Sequence, residues 1–209
     1  MKKGKFVTIE GCEGVGKSTL VAGLKEYFAN NGVDAIFTRE PGGTPVAEKI
    51  REVILDANNS AMTPTCELML YASARAQHTQ EKIIPAVENG QVVVCDRYSD
   101  STLAYQGYAR GLDKDLCNEL SRIAQCGVNI DLTIFLDLNP ERGFKRKGGA
   151  DKGDRLENEN LQFHQRVYQG FCDIAKLNPD RYAVIDAGQS KEEVLSAVID
   201  ALKAKGIID

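Results

Sequence analysis

The sequence predicts an α/β protein in which helices cover both faces of a parallel sheet, and three features carry that prediction. Five short apolar runs are rich in Val, Ile, Phe and Tyr, segments with helical spacing alternate with them, and a glycine-dense turn joins the first run to the first helix.

The runs cover residues 5–10, 35–39, 91–96, 132–138 and 181–186. They are nearly continuous in apolar character rather than alternating, as expected of strands buried on both faces. The helical segments cover residues 18–30, 46–56, 66–88, 114–124, 160–176 and 191–203. Turn signals separate the elements at Asn31-Gly32, Pro41-Gly42-Gly43, Asn89-Gly90, Gly127, Asn139-Pro140 and Gly148-Gly149. Pro85 interrupts the third helical segment and should kink or restart it, because proline lacks an amide hydrogen and clashes with the preceding turn. No repeat, linker or low-complexity tract divides the chain, so one domain over residues 1–209 is expected.

A chain of 209 residues is long enough to bury one full core. Its 43% hydrophobic and 27% charged residues match soluble globular proteins and exclude a disordered or disulfide-stapled scaffold. A formal net charge of -4 provides no general field for a nucleic-acid polymer, while leaving room for a local basic pocket that holds a small phosphate. No apolar run approaches the roughly 20 residues of a membrane span, and Glu10 and Glu13 follow Met1-Lys2-Lys3 too soon for a secretory leader. A cytoplasmic protein without membrane partners is expected. Six cysteines, at 12, 66, 95, 117, 126 and 172, form no CxxC pair and no cluster with His78 or His164, so they read as ordinary thiols. Cys12 stands apart only because amide dipoles in the glycine-dense turn could favour its thiolate.

That turn, Gly11-Cys12-Glu13-Gly14-Val15-Gly16-Lys17-Ser18, matches GxxxxGK[ST] in the strand-to-helix context its mechanism needs. Glycines let backbone amides converge on phosphate oxygens, and the helix start adds partial positive charge. Lys17 reaches the outer phosphates, Ser18 can ligate Mg²⁺, and Thr19 carries the loop into the helix. A three-layer P-loop fold with a five-stranded parallel sheet is therefore expected, with ATP as ligand along residues 11–19.

P-loops serve kinases, motors and switches, so other segments decide the reaction. The Asn-Lys-x-Asp motif of base-reading GTPases is absent after the fourth run, where Leu136-Asp137-Leu138-Asn139 stands instead. Asp96-Arg97 ends the third run, where open parallel sheets place ligands; the carboxylate can organise Mg²⁺ and the guanidinium can hold phosphate. Arg142, Lys145 and Arg146 share one helical face, and the glycines after them read as a lid, at about 142–155, able to bring Arg155 over the phosphates.

Glu13, Thr38-Arg39-Glu40-Pro41-Gly42-Gly43-Thr44, Asp96-Arg97-Tyr98, Tyr105-Gln106-Gly107 and Asp154-Arg155-Leu156-Glu157 together resemble bacterial thymidylate kinases, in order and spacing over nearly the whole chain. The resemblance implies transfer of the γ-phosphoryl of ATP to dTMP with Mg²⁺, giving dTDP and ADP, and a homodimer. It implies that Tyr71 stacks on thymine where the family usually has Phe, that Arg75 hydrogen-bonds the base, and that Thr102, Tyr105 and Gln106 line the same pocket. Tyr71 and Arg75 are four apart, so one helical face can carry both. Glu13 is implied at the deoxyribose 3′-hydroxyl, Pro41 at the sugar wall, and Arg39, Arg51 and Arg97 at the acceptor phosphate.

Lys17, Arg97 and a lid arginine, Arg146 or Arg155, are then expected to stabilise the transferring phosphoryl group, with Ser18 and Asp96 holding the metal. The acceptor phosphate is already ionised at neutral pH, so positioning and charge compensation matter more than a strong base. Two alternatives stay open: a (deoxy)nucleotide kinase for another acceptor base, and a nucleotide-dependent switch.

Overall fold

The computed structural model describes residues 3–146, 155–156 and 158–209. Strands β1 (Lys5–Glu10), β2 (Ala35–Arg39), β3 (Val92–Asp96), β4 (Leu132–Asp137) and β5 (Tyr182–Asp186) pair in parallel, in the order β2-β3-β1-β4-β5. All five stand where the apolar runs place them, with ends shifted by at most a residue.

Alternation along the strands builds two cores. Phe6, Val93 and Cys95 point to one face and pack with Ile83 and Tyr98. Val7, Ile9, Val92 and Val94 point to the other, where helices α1 (Lys17–Asn30), α8 (Leu161–Leu177) and α9 (Lys191–Ala204) add Leu24, Phe171 and Val198. Each fully buried side chain of this kind contributes about 1.5–3 kcal/mol. The expected three layers follow from these two covered faces.

The segment 66–88 is divided, as Pro85 requires. Helix α3 (Pro64–His78) runs into a π-helical turn (Thr79–Ile83), and α4 (Ile84–Glu88) restarts with Pro85 in its first turn, where a missing amide hydrogen costs little. Helix α2 (Pro45–Leu55) and α6 (Lys114–Ala124) match their spacing. One region escaped the periodicity: α5 (Ser99–Thr102) continues into a π-helical segment (Leu103–Ala109) closed by Arg110 N–H donating to Tyr105 O at 2.9 Å. Its wider turn breaks the 3.6-residue pattern that identifies an α-helix.

Helix α7 (Pro140–Arg146) follows β4. Of the expected lid, at about 142–155, residues 147–154 lie outside the described residues. At the carboxyl end of the sheet, Asp96 is the register partner of Ile9 on one side and Arg39 on the other. The chain leaves β1 toward β2 and leaves β3 toward β4, so the connections from these adjacent strands run in opposite directions and open a crevice at the strand ends.

Candidate active site

Beyond Glu10 the chain turns through Gly11, Gly14 and Gly16, all with positive φ. A Cβ on Gly14 would stand 2.3 Å from the carbonyl oxygen of Gly143, so only glycine lets the loop lie against α7. Lys17, the first residue of α1, is buried and donates Nζ to the carbonyls of Gly11 at 3.1 Å and Cys12 at 2.8 Å. Burial, reinforced by the Arg97 charge, lowers its pKa. Ser18 and Thr19 are exposed at the helix start. Gly11, Cys12 and Val15 are buried and shape the loop from behind. Burial also pushes the Cys12 thiol up to about 12, so it is an inert thiol at neutral pH.

Arg97 has φ 65, an uncommon conformation for a residue with a side chain, typical of functional sites that hold a group under strain. Its amide donates to Ile9 O at 2.9 Å and its guanidinium donates to Gly11 O at 3.0 Å, pairs with Glu13 and lies 5.2 Å over the Tyr105 ring. Beneath this turn, Glu10 accepts from Tyr98 N at 2.8 Å, Ser101 N at 3.3 Å and Ser101 Oγ at 2.6 Å. Burial, with the charge of Asp100, pushes its carboxyl up to about 7.

The α3 face carries Tyr71 and Arg75 into the same crevice. Arg75 is 2% exposed; Nε donates to Glu40 Oε2 at 2.8 Å and Nη2 to Tyr98 O at 3.0 Å. Burial opposes its charge, and the Glu40 carboxylate more than offsets this, raising its pKa. His78 Nδ1 lies 3.0 Å from the other Glu40 oxygen and its Nε2 lies 2.7 Å from Thr38 Oγ1. Arg39 and Arg51 both donate to the carbonyl of Pro41, at 3.2 and 2.8 Å, and Arg39 also pairs with Glu48.

These groups surround one cavity of about 480 Å³. Its wall includes Glu13, Gly14, Gly16, Lys17, Ser18 and Thr19 from the loop region, together with Arg39, Pro41, Arg51, Tyr71, Arg75, Asp96, Arg97, Thr102, Tyr105, Gln106 and Arg146. Among the described residues, most buried side-chain polar atoms without a hydrogen-bond partner belong to this wall: Arg75 Nη1, Asp96 Oδ1, Thr102 Oγ1, Tyr105 OH and both His164 ring nitrogens. Folded proteins rarely bury polar atoms unpaired, so this concentration marks a cavity built for a polar ligand.

The lid candidates separate. Arg146 reaches the cavity wall while donating to the carbonyls of Ala187 at 2.7 Å and Gly188 at 3.4 Å. Arg155, expected over the phosphates, pairs with Glu67 at 2.5 Å and donates to Ile54 O at 3.1 Å, beside Leu55 and Leu156, which line the cavity. A buried carboxylate with good donors holds an arginine more firmly than a solvated surface does.

A model of the family described as thymidylate kinase matches residues 9–198. The chain belongs to the thymidylate kinase family. Thymidylate kinase of Desulfosudis oleivorans is 45% identical over 205 residues, 95% of this chain and 96% of that protein. That of Geobacter sulfurreducens is 46% identical over 205 residues, with the same shares of both chains. A crystal structure of thymidylate kinase from Ehrlichia chaffeensis shares the fold with a TM-score of 0.77 at 32% identity, covering 96% of this chain and 99% of that one. Membership makes the chain a kinase that phosphorylates dTMP.

Glu10, Glu40, Glu67 and His164 were assigned no individual part in the site from sequence, although each supports or lines it. One of them left a signal: Glu67, Tyr71 and Arg75 recur every four residues, placing a carboxylate on the side of α3 that carries Tyr71 and Arg75 into the cavity.

Proposed function

We propose that this member of the family transfers the γ-phosphoryl of ATP to dTMP, with Mg²⁺, inside the cavity that joins the phosphate loop to the α3 face. The observation carrying this reading is the shared wall: Lys17 and Arg97 stand around the same space as Tyr71, Arg75 and Gln106. A phosphoryl donor and a base-bearing acceptor can therefore meet there.

Lys17 and Arg97 compensate the charge that spreads over the transferring phosphoryl group, and Arg146 is the lid arginine positioned on the wall to join them. Lys17 now satisfies itself on neutral loop carbonyls, which phosphate oxygens replace with charge-assisted bonds. Arg39, Arg51 and Arg97 hold the acceptor phosphate, Glu13 meets the sugar 3′-hydroxyl, and Pro41 bounds the sugar. Tyr71 supplies the stacking face for thymine, while Arg75 Nη1, unpaired in its buried position, is the donor for a base carbonyl.

The residues present fit Mg²⁺. The exposed Ser18 hydroxyl and the unpartnered Asp96 Oδ1 are hard oxygen donors on the cavity wall, the kind this ion takes together with phosphates and waters. When bound, Mg²⁺ neutralises and orients triphosphate oxygens.

A homodimer is proposed from the exposed apolar residues Met69 on α3 and Leu116 and Ile123 on α6, two helices that pack side by side. The cytoplasm is the proposed site of action; among the described residues no helix is long and apolar enough to cross a membrane. Chromatographic detection of dTDP and ADP tests the reaction: equimolar formation over many turnovers supports it, whereas ATP consumption with no dTDP would favour a hydrolysing switch.

A further inference from the structure

Glu67 lies behind the cavity wall, 1% exposed, and gathers donors from three directions. Gln106 Nε2 donates to Oε1 at 2.8 Å, Arg110 donates through Nε at 3.3 Å and Nη2 at 3.2 Å, and Arg155 pairs with Oε2 at 2.5 Å. Arg110 is itself anchored by Glu159 at 2.5 Å. Burial opposes the charge on Glu67, but the hydrogen bonds from Gln106 and Arg110 hold its pKa below the usual value. Glu67 is thus an ionised carboxylate, able to accept hydrogen bonds and unable to donate one.

That property settles the orientation of Gln106. Its amide must turn the NH₂ group toward Glu67, because the reverse would press a carbonyl oxygen against a desolvated carboxylate. Gln106 also lines the cavity, alongside Arg75.

We propose that Glu67 is a positioning residue for base selection: by holding the NH₂ of Gln106, it commits the Gln106 carbonyl oxygen to accept from the N3–H of the acceptor base. Thymine and uracil carry that N3–H; cytosine has an acceptor at the same position and is rejected by oxygen facing nitrogen lone pair. The inference rests on the cavity being the site of the acceptor nucleotide.

The test compares E67Q with E67D, using purified folded enzyme and ATP with dTMP or dCMP. In E67Q the two arginines claim the single carbonyl oxygen of the new amide, its NH₂ faces Gln106, and Gln106 reverses. The KM for dTMP then rises roughly ten-fold or more, the preference for dTMP over dCMP falls by a similar factor, and the KM for ATP stays within about two-fold. E67D keeps an acceptor-only carboxylate and retains the preference, even where its melting temperature drops. Unchanged discrimination in folded E67Q, equal weakening of ATP and dTMP, or the same loss of discrimination in E67D would each overturn the proposal. Should E67Q not fold, loss of discrimination in E67D alone would still overturn it, and its retention there would support it. Wild-type turnover of dTMP is measured in parallel; its absence would defeat the acceptor-site reading itself rather than the role of Glu67.

Discussion

Arg75 and Glu40 form an ion pair at 2.8 Å with side chains only 2% and 3% exposed. Such a pair is a poor source of net stability, since desolvating two charges opposes their attraction, but removing one partner strands the other. Its value here is positional. Glu40 also faces His78 and fixes the guanidinium of Arg75 so that Nη1 stays unpaired at the cavity.

Arg75→Ala should therefore raise the KM for dTMP by about 100-fold, the scale of a lost charge-assisted hydrogen bond in a dry pocket, and leave the KM for ATP near wild type. It should also lower stability by about 3–5 kcal/mol, because Glu40 loses its buried counter-ion. Steady-state kinetics and chemical denaturation check both; equal weakening of the two substrates would contradict the placement of Arg75 at the acceptor.

Lys17→Ala should keep the fold and lower kcat by about 100–1000-fold, the usual cost of removing one preorganised charge aimed at a transition state. Circular dichroism and turnover assays read the two parts separately. Near-normal kcat in a folded variant would remove Lys17 from the reaction.

Glu10 gives a pH dependence. Its carboxyl is pushed up to about 7 in the folded protein, so the native state holds a proton that the unfolded chain has released above the ordinary carboxylate range. Stability therefore falls as pH rises from that range toward 7, and Glu10→Gln, which keeps an acceptor for Tyr98 N–H, should flatten this slope. Denaturation midpoints between pH 5 and pH 8 provide the check (~1.4 kcal/mol for each pKa unit of difference). A slope identical in the variant would show that Glu10 is not the titrating group.

The strands and the phosphate loop were legible because their signals are local: apolar runs, glycines at fixed offsets, and a lysine and serine at a helix start. The π-helical segment at 103–109 was hidden because its period is not that of an α-helix. The supporting carboxylates were hidden for a different reason. Glu40 meets Arg75 across 35 positions, Glu67 meets Gln106 across 39, and Glu10 meets Tyr98 across 88. Only the parallel sheet and its crossovers bring such positions together, so spacing in the chain carries no trace of the pairing. Arg155 and its partner Glu67 on α3 likewise meet from distant parts of the chain.

Turnover with ATP and a panel of dTMP, dUMP, dGMP, CMP and AMP, compared as kcat/KM under one set of conditions, probes the account most directly. The expected result is that dTMP is the best acceptor and that both purine nucleotides are poor. A higher kcat/KM for either purine, or no acceptor phosphorylated at all, would contradict it.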